Sequence, residues 1–152
     1  MSRVQLALNV SDLDEAITFY STLFSTAPAK VRPGYANFAI EEPPLKLVLI
    51  EGVGEPGSIN HLGVEVGTTD EVHAATAHLT GQGCATTVEE ATSCCYAVQD
   101  KVWVEAPDGA RWEVYTVLAD ADDSDGLAGD ASCCTPEAVG TTSGSTAAGA
   151  CC

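Results

Sequence analysis

Cations are scarce in this chain. Six Lys and Arg stand against 22 Asp and Glu, a formal net charge of -16 over 152 residues. A surface of that sign repels a phosphate backbone or an anionic lipid face, so neither nucleic acid nor membrane is expected as a partner. Long apolar runs are also missing: no stretch approaches the roughly 18 residues of a membrane span. The first residues, Met1-Ser2-Arg3-Val4-Gln5, pass straight into an alternating strand pattern without a leader. Together these absences point to a reducing, cytoplasmic setting. Nor is a disulfide framework needed, because a chain of this length buries a core without staples. The seven cysteines are odd in number and fall as the doublets 94/95, 133/134 and 151/152 plus a lone Cys84, which is not the spacing of a disulfide-rich module.

Charge and composition divide the chain. Residues 1–118 hold sixteen acids and all six bases, and residues 119–152 hold six acids and no Lys or Arg. The second stretch is Ala, Gly, Ser, Thr and Asp with two cysteine doublets and almost no large apolar side chain. A folded domain over 1–118 and a disordered acidic tail over 119–152 are expected.

Among the cysteines, the adjacent pair Cys94 and Cys95 carries the strongest chemical signal. Neighbours close a disulfide only through a strained eight-membered ring, since ordinary bridges want Cα atoms about 4.4 to 6.8 Å apart and neighbours sit near 3.8 Å. Two thiolates on one short segment suit a soft, thiophilic centre instead: trivalent arsenic, antimony or bismuth, or cadmium or zinc. The plain alternative is that both are small buried hydrophobes, a frequent fate of cysteine.

The folded part repeats itself at an offset of 56 residues. Gln5-Leu6-Ala7-Leu8-Asn9-Val10 matches His61-Leu62-Gly63-Val64-Glu65-Val66, followed by Asp14/Asp70, Glu15/Glu71 and Leu23/Leu79. Each half opens with an alternating strand that feeds an amphipathic helix. The first helix is expected over 12–24 behind an N-cap at Ser11, with Leu13, Ile17, Tyr20 and Phe24 on one stripe. The second opens at Thr68 or Thr69 and runs to about 81. Further strands are expected over 35–40 and 45–51, then 85–88, 96–98, 102–105 and 111–117, separated by Pro33-Gly34, Glu42-Pro43-Pro44 and Pro107-Asp108-Gly109. The Gly/Pro stretch 52–57 connects the halves. Neither half has enough strands to stand alone, so the fold class is α+β: two βαβββ modules, about 1–52 and 58–118, pairing into one open curved mixed sheet.

Strand alternation assigns the faces. Val4, Leu6, Leu8 and Val10 must meet the helix, which turns Gln5, Ala7 and Asn9 the other way, and the same reasoning turns His61, Gly63 and Glu65 away from Leu62, Val64 and Val66. On the last strand Arg111, Glu113 and Tyr115 alternate with Trp112, Val114 and Thr116. Gln5, His61 and Glu113 then converge in one concavity. Amide oxygen, imidazole and carboxylate suit a first-row divalent ion such as Fe(II), Mn(II), Ni(II) or Zn(II). Aligning the two halves places Leu47 opposite Glu113, so no fourth ligand is evident. Taken singly, each of the three is an ordinary satisfied polar side chain. His73 and His78 fall on the second helix, facing solvent or capping, and Cys84 packs at the start of a strand.

Two βαβββ modules with donors on the first strand of each and on the last strand resemble the vicinal oxygen chelate superfamily of glyoxalase I, extradiol dioxygenases and fosfomycin-resistance proteins. Lys30-Val31-Arg32-Pro33-Gly34-Tyr35-Ala36-Asn37-Phe38, Pro43-Pro44-Leu45-Lys46-Leu47, Asn60-His61-Leu62-Gly63-Val64 and Cys94-Cys95-Tyr96-Ala97-Val98-Gln99-Asp100-Lys101-Val102-Trp103-Val104 are similar to carbon-arsenic lyases and to cadmium-induced proteins. The resemblance covers about residues 1–118 and leaves out the tail doublets. It implies a non-haem Fe(II) enzyme using dioxygen, with Gln5, His61 and Glu113 as metal ligands and Cys94 and Cys95 holding the arsenic of a trivalent organoarsenical. It also implies a mobile loop over about 92–101 that delivers substrate to the metal.

Other readings stay open on the sequence. One is a soft-metal binding protein without turnover, and another is a glutathione-linked glyoxalase or thiol transferase. Against the latter stand the missing fourth ligand and the poverty of Lys and Arg. Open sheet edges make a homodimer possible. Contact of Tyr35, Asn37, Tyr96, Lys101 or Tyr115 with substrate is left undecided.

Overall fold

The structure, a computed structural model, describes residues 2–94 and 96–121. Its element order is β1 (Arg3–Val10), α1 (Leu13–Phe24), β2 (Lys30–Arg32), β3 (Tyr35–Ile40), β4 (Leu45–Glu51), β5 (Ile59–Glu65), α2 (Thr69–Gly81), β6 (Thr86–Cys94), β7 (Ala97–Glu105) and β8 (Arg111–Asp120). All eight strands join one sheet in the order β2-β3-β4-β1-β5-β8-β7-β6. Each module is thus laid out identically, its first strand parallel to its last (β1 with β4, β5 with β8), and the modules meet where β1 and β5 run antiparallel. This is the open mixed α+β sheet expected from the repeat.

Both helices start on side-chain caps. The Asp12 side chain accepts from the Glu15 amide at 2.8 Å, so Asp12 rather than Ser11 is the N-cap of α1: the carboxylate reaches the third residue of the helix from an extended backbone. Thr68 caps α2 through the Glu71 amide. The stripe Leu13, Ile17, Tyr20 and Phe24 packs onto Phe38, Leu47 and Leu49 together with Leu6, Leu8 and Val10, which forms the helix-side core of the first module. A second apolar cluster, Ala7, Tyr35, Val48 and Ile50, lies on the opposite face with Val53 and Tyr96 against it.

Three local expectations need correction. Strand β6 does not stop at 88 but runs to Cys94, and the pieces expected at 96–98 and 102–105 are a single strand, β7, paired to β6 and β8 along its length. Consequently residues 92–94 and 97–101 belong to paired strands, with Cys94 opposite Ala97, rather than to a long loop. Asp100 explains part of this: its carboxylate accepts from the Ala91 amide at 2.8 Å and from the Thr69 hydroxyl at 2.5 Å, pinning an irregularity of β6 to the start of α2. Burial opposes ionisation of Asp100, but the Thr69 and Ala91 hydrogen bonds outweigh it and hold its carboxyl below the usual range. Finally, β8 continues to Asp120, past the 117 expected for the strand and the 118 expected for the folded domain. The rest of the expected tail, with Cys133, Cys134, Cys151 and Cys152, lies outside the described residues, as does Cys95.

Phe38 is fully buried in the helix-side core, whereas Phe19 on the outer face of α1 is 60 % exposed. Phe38→Ala is expected to cost about 3–5 kcal/mol of unfolding free energy, and Phe19→Ala less than about 0.5 kcal/mol, in urea denaturation. Similar losses at both positions would contradict the placement of the core.

Candidate metal centre and thiol pocket

The seam between the modules builds the site. Strand pairing sets Gln5 beside Gly63 and Gly63 beside Glu113, so the three stand in a row across β1, β5 and β8. Because the middle member has no side chain, the two outer ones bend toward each other over it. A Cβ at Gly63 would lie 3.0 Å from Glu113 Cγ, 3.2 Å from the Glu113 carbonyl oxygen and 3.3 Å from Gln5 Cβ, so an alanine there would need its neighbours to give by a few tenths of an ångström. His61, two residues away on the same face of β5, completes a triangle. Gln5 Nε2 is 3.0 Å from His61 Nε2 and 2.6 Å from Glu113 Oε1, and His61 Nε2 is 3.4 Å from the same carboxylate oxygen. All three side chains are buried.

With the amide oxygen of Gln5 in the place its nitrogen takes here, those separations would fit a metal. Donors on one face of an octahedron with bonds of about 2.1 Å stand about 3 Å apart. Among the described residues no three His, Cys, Asp or Glu side chains gather for a metal ion, so a third donor at this point would be the amide of Gln5. The position related to Glu113 by the repeat is Val48 rather than Leu47: β1 pairs Ala7 with Val48 as β5 pairs Gly63 with Glu113. Leu47 faces α1 instead. Val48 is apolar too, so the expectation of three donors survives the shift in register.

Neighbours hold each donor in place. His61 Nδ1 lies 2.7 Å from Asn60 Oδ1, Asn60 Nδ2 donates to Asn9 Oδ1 at 3.0 Å, and Asn9 Nδ2 donates to Ser58 Oγ at 2.9 Å. With Asn60 Oδ1 as acceptor, the imidazole proton sits on Nδ1 and the Nε2 lone pair faces the other donors. The edge of Trp103 meets the same ring, centroids 5.5 Å apart at 78°. Glu113 Oε2 accepts from Lys101 Nζ at 2.9 Å, which leaves Oε1 for the triangle. Burial pushes the Glu113 carboxyl up, yet the neighbouring His61 ring and the Lys101 ammonium outweigh it and bring it down to about 2. Behind Gln5, the Tyr115 hydroxyl lies 2.5 Å from Gln5 Oε1 and 2.9 Å from Glu65 Oε2, and Glu65 is paired with Arg3 at 3.0 Å and Lys46 at 3.1 Å.

Cys94 shares this pocket. Its side chain is 3 % exposed and lines the same concavity as Gln5, His61 and Glu113, with Gln99, Lys101 and Trp103 from β7 and Lys46 and Val48 from β4. The amide oxygen of Gln99, a residue lining the pocket, is buried without a hydrogen-bond partner among the described residues. A clasp fixes the hairpin tip: Lys30 Nζ donates to the Tyr96 carbonyl at 3.0 Å and pairs with Asp120, the Tyr96 hydroxyl reaches the Pro33 carbonyl at 3.3 Å, and the Tyr35 and Tyr96 rings are 5.6 Å apart. Tyr96 itself has a left-handed backbone, φ 62°. Alternation of Gln99, Lys101 and Trp103 is the signal that would have placed β7 on the site. The polar run Gln99-Asp100-Lys101 disguises it as part of a loop. His73 and His78 lie on α2, away from this pocket.

Gly63→Ala is expected to push Glu113 and Gln5 apart. Divalent-ion affinity, read by Co(II) titration, should fall more than tenfold, with about 1–3 kcal/mol lost from unfolding stability. Unchanged Co(II) affinity would remove the role given to the glycine.

Comparison with known proteins agrees with this fold. The cadmium-induced protein CadI of Mycobacterium tuberculosis is 66% identical over 122 residues, covering 80% of each chain. A trivalent organoarsenical cleaving enzyme of Thermomonospora curvata is 58% identical over 152 residues, covering 99% of this chain and 100% of that one. Among solved structures, the Mn(II)-bound glyoxalase of Novosphingobium aromaticivorans superposes with a TM-score of 0.56 at 21% identity, over 82% of this chain and 43% of that one. Residues 3–114 match one family throughout, and with the relatives and the sheet topology they establish that the chain belongs to the Glyoxalase/Bleomycin resistance protein/Dioxygenase superfamily.

Proposed function

We propose that this protein is an Fe(II)- and dioxygen-dependent carbon-arsenic lyase that converts trivalent organoarsenicals, methyl or aromatic, to inorganic arsenite. The observation that carries the reading is the buried Cys94 thiol in the same concavity as the Gln5, His61 and Glu113 triangle. The identity to an organoarsenical cleaving enzyme along the whole chain supports it.

Gln5, His61 and Glu113 would hold the iron, which when bound supplies the means to activate dioxygen beside the substrate. The protein's own residues do the rest. A monosubstituted trivalent arsenical has one carbon and two exchangeable hydroxyls, so the thiols of Cys94 and Cys95 displace both as water and leave the carbon-arsenic bond as the free direction. Cys94 ends the edge strand β6 and lines the same concavity as the triangle, a placement that would aim the bond across the pocket rather than toward solvent. Lys101 neutralises one oxygen of Glu113, and Trp103 walls the imidazole from water. For a methyl substrate the atoms close without an external reductant: methylarsonous acid and one dioxygen give arsenous acid and formaldehyde. Cytoplasmic thiol-reducing conditions would keep the cysteine pair in its binding form. The three donors come together within a single chain, so a homodimer, if formed, is not needed to complete the site.

A soft-metal binding role without turnover is the competing reading, favoured by the identity to a cadmium-induced protein. Speciation separates the two. Reduced protein loaded anaerobically with Fe(II), given methylarsonous acid and then dioxygen, should release arsenite over many turnovers, with formaldehyde in equal amount. Organoarsenical returned intact at one equivalent per chain would replace the lyase reading with sequestration. Cys94→Ser or Cys95→Ser should lower turnover at least a hundredfold while Co(II) affinity stays within about threefold. Serine variants that cleave normally would end the assignment of the thiols.

A further inference from the structure

The Tyr115 hydroxyl touches two oxygens with one proton. It lies 2.5 Å from Gln5 Oε1 and 2.9 Å from Glu65 Oε2, and a phenol can donate to only one of them at a time. Glu65 is a charged acceptor held by Arg3 and Lys46, hence the stronger competitor for that proton. As the amide of Gln5 lies here, its nitrogen points inward at His61 Nε2 and Glu113 Oε1, and its oxygen points back at Tyr115. An amide donates through nitrogen and ligates through oxygen, so this orientation cannot serve a metal. Turning the amide over exchanges the two ends. Oxygen then faces the triangle, the NH2 group donates to the Tyr115 oxygen, and the phenol donates its hydrogen bond to Glu65 alone.

Resting on the reading of Gln5, His61 and Glu113 as metal ligands, we propose that Tyr115, backed by Glu65, is a positioning residue that selects which end of the Gln5 amide faces the metal. Every group is satisfied in the oxygen-inward arrangement: Gln5 NH2 on Tyr115, Tyr115 OH on Glu65, and Glu65 on Arg3 and Lys46. A phenylalanine at 115 would leave the buried amide NH2 without an acceptor in that arrangement and leave the nitrogen-inward one undisturbed in its contacts with His61 and Glu113. The sequence carries the device in plain sight. Residue 115 follows Glu113 by two on the same strand face, and Glu65 follows His61 by four on the neighbouring strand.

The test is a cycle of four proteins titrated with Co(II): wild type, Tyr115→Phe, Gln5→Glu and the double variant. A carboxylate at position 5 has no wrong end, so it should remove the need for Tyr115. Tyr115→Phe is expected to weaken Co(II) roughly 10–100-fold beside glutamine, the usual cost of removing a residue that orients a ligand, and less than about threefold beside glutamate. Equal losses in both backgrounds, or none beside glutamine, would overturn the selection while leaving the metal site standing. Wild type that binds no Co(II), or a His61→Ala variant that binds it as well as wild type, would overturn the metal site and the selection together. The wild-type protein loaded with Zn(II) gives an independent readout by NMR. Gln5 side-chain NH2 protons should show cross-peaks to the Tyr115 ring, and cross-peaks to His61 Hε1 instead would contradict the proposed orientation.

Discussion

Everything at the centre of this molecule depends on one row of three residues across three strands. Gln5, Gly63 and Glu113 are neighbours because the two modules join by antiparallel pairing of β1 and β5, and because β5 and β8 run parallel within the second module. Without a side chain at 63, an amide from one module and a carboxylate from the other can reach the same point, at 2.6 Å. His61 is delivered to it by the two-residue period of the strand. The helices supply apolar cover for one face of the sheet, and so free the opposite face to carry polar side chains.

The scarcity of cations in the sequence is matched by their placement. Lys101 pairs with Glu113, Arg3 and Lys46 with Glu65, Arg111 stacks on Trp103 at 4.4 Å, and Lys30 clasps the hairpin tip. Five of the six bases therefore serve the site or its rim, while most of the acids are left on the outside. A buried carboxylate without such a partner would take up a proton or cost several kcal/mol. Lys101 and Lys46 are themselves buried, and their charge is offset by the carboxylates they hold. Burial and the charges of Glu65 and Glu113 raise Tyr115 far above the usual phenol range, so it remains a neutral donor among them.

Much of this was legible before any coordinates. Alternation on β1 and β5 places Gln5 and His61 on one face because their apolar partners Leu6, Leu8, Leu62 and Val64 demand the other, and the 56-residue repeat makes the two positions equivalent. What failed was register and context. The turns before β4 and β8 differ in length, so the sequence repeat sets Leu47 where the strand register sets Val48, and a slip of one exchanges the faces of a strand. The hairpin of β6 and β7 is hidden because Gln99, Asp100 and Lys101 read as part of a polar loop. Each is buried, and the partners recorded for Asp100 and Lys101 come from α2, β6 and β8, contacts that no local pattern contains. The relay from His61 through Asn60 and Asn9 to Ser58 escaped notice for the same reason.

The central claim is a division of labour, with a hard donor triangle for the metal and a thiol pair for arsenic. X-ray absorption at the arsenic edge and at the cobalt edge of protein loaded with Co(II) and phenylarsonous acid tests it most directly. The account predicts arsenic bonded to two sulfurs and one carbon, and cobalt surrounded by nitrogen and oxygen alone. Sulfur in the cobalt shell, or arsenic without sulfur neighbours, would contradict it.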